Sequence, residues 1–134
     1  MVIVFVPHLT DGGAERVLSE LITYWHKAGV KIVLAEVEPK MFDNSYPMPD
    51  GIEIIKAKTY TNPLMRYAGI IRFMIRTMRR YPDATVIAFS KLVLLKLALA
   101  MPFVSNKIVL SERNDPYTLP TQKYKRIIRD WAFK

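Results

Sequence analysis

The chain of 134 residues contains no cysteine, only five glycines and only two histidines. Without cysteine it forms no disulfide and no thiolate metal site, and its redox compartment stays undetermined. His8 and His26 are not part of any metal-ligand cluster, so the sequence predicts no metal site. At this length we expect a single domain with a core of its own.

The chain also lacks a long apolar run. Residues 90–104 are strongly apolar, but Lys91, Lys96 and Pro102 interrupt them, and the stretch is shorter than the ~20 residues that span a bilayer. Residues 1–6 are too short for the core of a signal peptide, and no basic segment precedes them. The sequence therefore predicts a cytoplasmic protein.

The N-terminal segment contains a strand, a glycine loop and the start of a helix. Apolar residues from Val2 to Val6 predict a strand that stops at Pro7, and Gly12 and Gly13 follow in a polar loop. Such a loop presents backbone N–H groups and a positive helix end to a phosphate. The spacing is neither GxGxxG nor the P-loop pattern, which disfavours dinucleotide and nucleoside-triphosphate binding. A tight turn without a ligand is the alternative.

Apolar and helical segments alternate along the rest of the chain. The predicted strands are residues 2–6, 30–37, 52–56, 85–89 and 107–111, and helices follow the first, third, fourth and fifth of them. Asn62 and Pro63 mark a helix that continues to about Arg80, and the last helix begins near Pro120. We therefore predict an α/β fold, a Rossmann-like open parallel sheet in the order 3-2-1-4-5 flanked by helices.

In that strand order, three loops meet at the carboxyl edge of the sheet, where open α/β sheets bind ligands. The order of the strands reverses between strands one and four, so Gly12 and Gly13 share a crevice with Ser90 and Lys91. His8 either faces this crevice or caps the first strand. The loop after strand five adds charged and amide side chains, for which a turn with a structural salt bridge is the alternative: Glu112, Arg113, Asn114 and Asp115.

Three segments of the chain resemble one known family. PHLTDGGAERVLSEL, IAFSKLVLL and VLSERNDP are similar to the acceptor-side domain of family 4 glycosyltransferases, and the resemblance covers nearly the whole chain. It implies the N-terminal domain of a GT-B enzyme that transfers a sugar from a nucleotide-diphosphate sugar to a saccharide or a polyprenyl- or lipid-linked acceptor. Such enzymes retain configuration and need no metal or other cofactor. It also implies that this chain ends within the first domain, lacks the C-terminal donor domain and is inactive alone.

The resemblance implies roles for the loop residues. Gly12 and Gly13 contact the donor phosphate or sugar, and the residues expected at the acceptor are His8, Ser90, Lys91, Glu112, Arg113 and Asn114. Many relatives have His or Asp near the position of Arg113, so the catalytic residue is unknown, with Arg113 and Asp115 as candidates. A retaining transferase can leave the acceptor proton to the departing phosphate. The alternatives are a non-catalytic binding module for lipid phosphate or sugar phosphate, and one subunit of a split transferase.

Positive charge is concentrated in the second half of the chain. Residues 1–62 hold six Lys or Arg against eight Asp or Glu, whereas residues 63–134 hold fourteen against four. The helix that begins at Pro63 has an apolar stripe that we expect to be core rather than inserted in a membrane, because the helix must cover the sheet: Leu64, Tyr67, Ala68, Ile71, Met74, Ile75 and Met78. Arg72, Arg76, Arg79 and Arg80 lie largely opposite and predict contact with an anionic membrane at its inner face. Solvated helix faces are the alternative, and nucleic acid is disfavoured because no RRM, KH or helix-turn-helix pattern is present.

Overall fold

A five-stranded parallel sheet lies at the centre of the computed structural model, which describes residues 1–9, 13–38, 46–111 and 127. The strands are β1 (Val2–Val6), β2 (Ile32–Glu36), β3 (Glu53–Lys56), β4 (Thr85–Ala88) and β5 (Ile108–Leu110). Their order is β3-β2-β1-β4-β5, and every neighbouring pair is parallel. The predicted fold class and strand order are confirmed, and β2, β3, β4 and β5 are each one or two residues shorter at one or both ends than predicted.

Three helices cover the sheet: α1 (Gly13–Lys27), α2 (Pro63–Arg80) and α3 (Lys91–Ala100), the last followed by a 3₁₀ turn. The helix α2 begins where the sequence predicts, because the Asn62 side chain accepts hydrogen bonds from the backbone N–H groups of Leu64 and Met65 at 2.9 and 3.2 Å. The predicted helix from Pro120 lies outside the described residues, Ile127 excepted.

The helices divide between the two faces of the sheet. On one face, Leu18 and Ile22 of α1 pack against the even-numbered residues of β1 and β2. On the other face, α2 and α3 cover the odd-numbered residues, and the ring of Phe5 meets that of Phe73 edge-on with centroids 6.5 Å apart. Each such side chain, fully buried, contributes roughly 1.5–3 kcal/mol to folding. Both faces of the sheet are therefore core, which leaves its carboxyl edge for ligands.

The apolar stripe predicted for α2 is buried only along the later part of the helix. Met74 and Met78 are fully buried as expected, whereas Leu64 is 79% exposed and Tyr67 is 41% exposed. The prediction is wrong for the first two turns because periodicity shows which residues share a face but not how much of the helix lies against the sheet. The N-terminal end of α2 thus carries exposed apolar side chains, among them Met65.

Candidate functional site at the carboxyl edge of the sheet

Backbone hydrogen bonds continue past the ends of the central strands and fix the loops that follow them. Val37 N–H donates to the Val6 carbonyl at 2.9 Å, and Glu38 N–H donates to the Pro7 carbonyl at 2.7 Å. On the other side of β1, Phe89 N–H donates to the Phe5 carbonyl at 3.1 Å. The first residues beyond β1, β2 and β4 are therefore held by the same ladder as the strands.

A cavity of about 270 Å³ opens at this edge, above β1, β2 and the segment after β3. We call it the edge cavity; its lining residues are His8, Val37, Glu38, Lys58, Thr59, Tyr60 and Arg66. The lining combines an imidazole, a carboxylate, two cations, a hydroxyl and a phenol. Groups of this kind can bind a hydroxylated ligand that carries negative charge.

His8 has an unused hydrogen-bonding atom beside the edge cavity. Its Nδ1 is buried and has no hydrogen-bond partner among the described residues. A buried polar atom without a partner is destabilising by about 1–3 kcal/mol, so native proteins rarely keep one without a reason. A ligand hydroxyl would satisfy this atom. The lining of the edge cavity includes neither Gly13 nor Ser90, so the expectation that His8 faces the crevice between strands one and four stays a prediction.

Glu38 is held in the cavity wall by a lysine from α3. Lys96 Nζ lies 2.5 Å from Glu38 Oε1, and the lysine side chain is only 7% exposed against 34% for the glutamate. The same ammonium lies 5.7 Å from the centre of the Tyr67 ring. A buried ammonium needs such partners, and the pair fixes the position of Glu38 in the cavity wall.

A second carboxylate at the same edge lies on the opposite face of the sheet. Glu36 is buried, and it shares the face of β2 with Ile32 and Leu34, which α1 covers. Its Oε2 lies 3.5 Å from Lys56 Nζ, but its Oε1 has no partner among the described residues. Two unsatisfied polar atoms, of His8 and Glu36, therefore occur at neighbouring strand ends of one sheet edge.

The backbone conformation at Gly13, the first residue of α1, does not require a glycine. Gly13 does not have a positive φ, and a Cβ added to it would meet nothing within 4 Å. Among the described residues, nothing fills the space that a side chain at Gly13 would take, and the first backbone N–H groups of a helix are the ones that can bind an anion. The neighbouring Gly12 lies outside the described residues.

Of the other residues predicted for the site, two are placed at this edge. Ser90 directly follows Phe89 beyond β4, and its backbone carbonyl accepts from Leu94 N–H at 2.9 Å as α3 begins; Lys91 is the first residue of that helix. The remaining predicted site residues lie outside the described residues: Glu112, Arg113, Asn114 and Asp115.

Most residues of the edge cavity were not predicted from the sequence. Lys58, Thr59 and Tyr60 follow the short edge strand β3, a segment to which sequence analysis assigned no function. Lys96 did give a signal, because a single charge within an otherwise apolar helical turn implies a buried partner. The identity of that partner, Glu38, has no local sequence signal, since 58 residues separate the two.

A larger cavity, of about 380 Å³, lies at the opposite, amino edge of the sheet, beside Gly29, Lys31 and Gly51. Parallel sheets bind ligands at their carboxyl edge, and among the described residues no buried side-chain polar atom without a partner lies in the wall of this cavity. We therefore place the candidate site at the edge cavity.

Two absences concern the described residues only. They contain no cluster of three or more His, Asp or Glu residues that could hold a metal ion. None of the helices described is both long enough and apolar enough to cross a membrane. Comparisons of the chain with protein-family models, with curated proteins and with solved structures find no match.

Proposed function

We propose that this chain is the acceptor-side half of a family 4 GT-B glycosyltransferase. The observation that carries the proposal is the edge cavity, where the unsatisfied His8 Nδ1 and the fixed Glu38 carboxylate lie at the carboxyl edge of a 3-2-1-4-5 parallel sheet. Motif resemblance in the loops after β1, β4 and β5 supports the same function. The saccharide or polyprenyl- or lipid-linked acceptor binds in this cavity.

The groups of the cavity suit an acceptor that bears both hydroxyls and phosphate. His8 Nδ1 and the Glu38 carboxylate bind sugar hydroxyls, while Lys58 and Arg66 bind the phosphate of a lipid-linked acceptor. Ser90, Lys91, Glu112, Arg113 and Asn114 complete the acceptor side from the loops after β4 and β5.

The donor approaches from the start of α1. Gly12 and Gly13 admit the diphosphate of the nucleotide sugar, and a C-terminal donor domain, on the same or another polypeptide, binds its nucleotide. Transfer breaks the bond between the anomeric carbon and the phosphate oxygen and forms one to the acceptor oxygen. The departing phosphate takes the acceptor proton, so the reaction needs no metal, and Arg113 and Asp115 are candidates to stabilise the charge that develops.

The exposed end of α2 supports a position at the inner face of a membrane. Leu64 and Met65 are 79% and 60% exposed, and the cations Arg66, Arg72 and Arg76 follow on the same helix. Exposed apolar side chains beside arginines are typical of helices that lie in a bilayer interface. A peripheral cytoplasmic enzyme would meet a lipid-linked acceptor there.

Binding by the isolated chain tests the acceptor assignment. We expect calorimetry to show saturable binding of a saccharide linked to a short polyprenyl diphosphate, and no comparable binding of sugar nucleotides. His8→Ala should weaken acceptor binding by about tenfold, or about 1.4 kcal/mol. His26→Ala is the matched control, because His26 lies on the exposed last turn of α1 at the opposite edge of the sheet. Equal loss in both variants, or turnover by the chain alone, would contradict the proposal.

A non-catalytic binding module for lipid phosphate or sugar phosphate is a second candidate, favoured by the two cations in the cavity wall, Lys58 and Arg66. Adding a donor domain distinguishes the two. A transferase half acquires sugar transfer that depends on His8, whereas a binding module retains acceptor affinity and gains no turnover.

A further inference from the structure

A third cavity, of about 300 Å³, lies between the end of β3 and the side of α2. We call it the cationic cleft; its lining residues are Lys56, Lys58, Tyr60, Gly69, Arg72, Phe73 and Arg76. Four of the seven carry a positive charge and none is acidic. Tyr60 and Lys58 also line the edge cavity, so the two cavities lie on either side of one short segment.

The four arginines of α2 that were predicted to face a membrane differ in their contacts within the protein. Arg79 donates to the Phe103 carbonyl from Nε and Nη2 at 3.3 and 3.2 Å, and Arg80 lies 3.5 Å from Glu53. Arg72 and Arg76 have no hydrogen bond or ion pair with any of the described residues. One turn apart on α2, both line the cationic cleft.

Within the part of the chain that the structure describes, an acidic side chain neutralises only one charge of the cleft. That charge is Lys56, whose Nζ lies 3.5 Å from the buried Glu36 carboxylate on the other face of the sheet. Among the described residues, Lys58, Arg72 and Arg76 have no acidic partner. Holding like charges around one cavity is unfavourable, and a bound anion would remove that repulsion.

A glycine in α2 allows the wall of the cleft to form. A Cβ added to Gly69 would lie 2.6 Å from Cε2 of Tyr60, so the tyrosine ring can rest on the helix only because residue 69 has no side chain. Lys58 Nζ in turn lies 5.6 Å from the centre of that ring. Glycine within a helix is about 1 kcal/mol less favourable than alanine, and the position of Tyr60 accounts for its presence here.

We propose that the cationic cleft binds a phosphate-bearing group with at least two negative charges. Two guanidinium groups and one ammonium suit the oxygens of a diphosphate or of a phosphomonoester, because arginine binds phosphate in a bidentate manner and lysine adds a point charge. A soluble diphosphate and the headgroup of an anionic lipid share this chemistry. The cationic cleft shares Lys58 and Tyr60 with the edge cavity, but its binding of phosphate does not depend on sugar transfer.

Two double variants of equal charge test the site. Arg72→Gln with Arg76→Gln removes two cations of the cleft, whereas Arg79→Gln with Arg80→Gln removes two from the same helix outside it. The probes are inorganic pyrophosphate, measured by calorimetry, and phosphatidylcholine vesicles with or without phosphatidic acid, measured by co-sedimentation. We expect the cleft variant to weaken binding by about tenfold or more and the control variant to change it by less than about threefold. Circular dichroism is the control that checks whether both variants are folded.

The two probes distinguish the sources of the phosphate. Saturable pyrophosphate binding with this variant pattern supports the site and assigns it a soluble ligand. The same pattern with phosphatidic acid vesicles alone supports the site and assigns it a lipid headgroup. Equal losses in both double variants mean that binding follows net charge, and that result overturns the proposal, as does the absence of binding to either probe.

Gly69→Ala tests the geometry of the cleft without changing its charge. The added methyl group displaces the Tyr60 ring, which is the far end of a rotatable side chain, so the helix itself stays intact. We expect weaker binding of the same probe with unchanged or higher thermal stability. Unchanged affinity in this variant would show that the cations act as a diffuse surface charge, and it would overturn the proposal of a binding site with a defined geometry.

Discussion

Lys96 on α3 and Glu38 after β2 form an ion pair in which the lysine is almost fully buried and the glutamate reaches solvent. The pair joins segments 58 residues apart and connects a helix to the wall of the edge cavity. Because the two ends differ in exposure, removing one partner does not have the same effect as removing the other.

We expect Glu38→Ala to destabilise the protein more than Lys96→Met. The first variant removes the carboxylate that Lys96 Nζ contacts while the ammonium stays almost fully buried, which should lower the free energy of unfolding by about 3 kcal/mol. The second replaces the lysine with an apolar side chain of similar shape and leaves a carboxylate that water can reach, so we expect a change of about 1 kcal/mol or less. Urea denaturation measures both, and a reversed order would contradict the burial of Lys96.

The two glycines at the ends of α1 should respond differently to alanine. Gly29 has a φ of 78°, where a Cβ is unfavourable, so Gly29→Ala should lower stability by about 1 kcal/mol. Gly13 has neither a positive φ nor a close neighbour, so Gly13→Ala should change stability by less than about 0.5 kcal/mol.

In a complete transferase, Gly13→Val should nevertheless lower transfer by about tenfold, or about 1.4 kcal/mol in the transition state. Under the proposed function, the donor phosphate binds at the start of α1, in the space that the valine side chain would occupy. Steady-state kinetics measure the rate of transfer, and thermal unfolding is the control for folding. A normal rate in a folded variant would mean that the glycine loop is only a turn and does not bind the donor.

Tyr81 should make stability depend on pH in the alkaline range. Its hydroxyl donates to Glu53 Oε2 at 2.8 Å, and this hydrogen bond raises the pKa of Tyr81, assisted by desolvation and opposed by Arg80. A raised pKa means that the folded protein favours the protonated phenol. This contribution is fully present below the ordinary pKa of 10.0 and is lost as pH rises through the higher folded value.

Tyr81→Phe removes this titration. We expect the parent to lose more stability than the variant between neutral pH and a pH above 10, in denaturant titrations run in parallel. The phenolate absorbance of the parent should also contain one group that titrates later than it does after Glu53→Gln. Identical alkaline profiles of parent and Tyr81→Phe would rule out the effect of the hydrogen bond.

The stability of the protein should depend on the side-chain amide of Asn106. Its Nδ2 donates to the carbonyls of Tyr81, Pro82 and Ala84 at 2.8, 3.1 and 3.0 Å, which fixes the turn between α2 and β4. Asn106→Ala should lower stability by about 1–2 kcal/mol. Asn106→Asp should lower stability further at neutral pH, because the carboxylate oxygens of the aspartate would lie against three carbonyl oxygens. At low pH the aspartate is protonated, and part of the stability should return. Chemical denaturation at both pH values measures the difference.

The sequence predicts the sheet well because the relevant signals are local. Apolar strand segments, the Asn62–Pro63 helix start and the right-handed crossover between parallel strands together predict the order of all five strands. None of these depends on knowing which distant side chains meet.

The candidate site is predicted less completely because it depends on distant side chains. His8 could be named from its place after a strand, but the partners around it come from the ends of β2 and β3 and from α2 and α3. Likewise, the sequence does not distinguish the arginines of α2 from one another. The structure does, because Arg79 contacts the Phe103 carbonyl and Arg80 contacts Glu53, and such tertiary contacts have no local sequence signal.

The central position of β1 affects how the chain can fold as it is synthesised. β1 pairs with β2 on one side, and on its other side with β4, which begins only at Thr85. Until that segment has left the ribosome, one edge of the most apolar strand has no partner, and the segment made so far can form only the β3-β2-β1 part of the sheet. The crossover through α2 is therefore also a delay, during which the unpaired edge of β1 is open to chaperones or to another nascent chain.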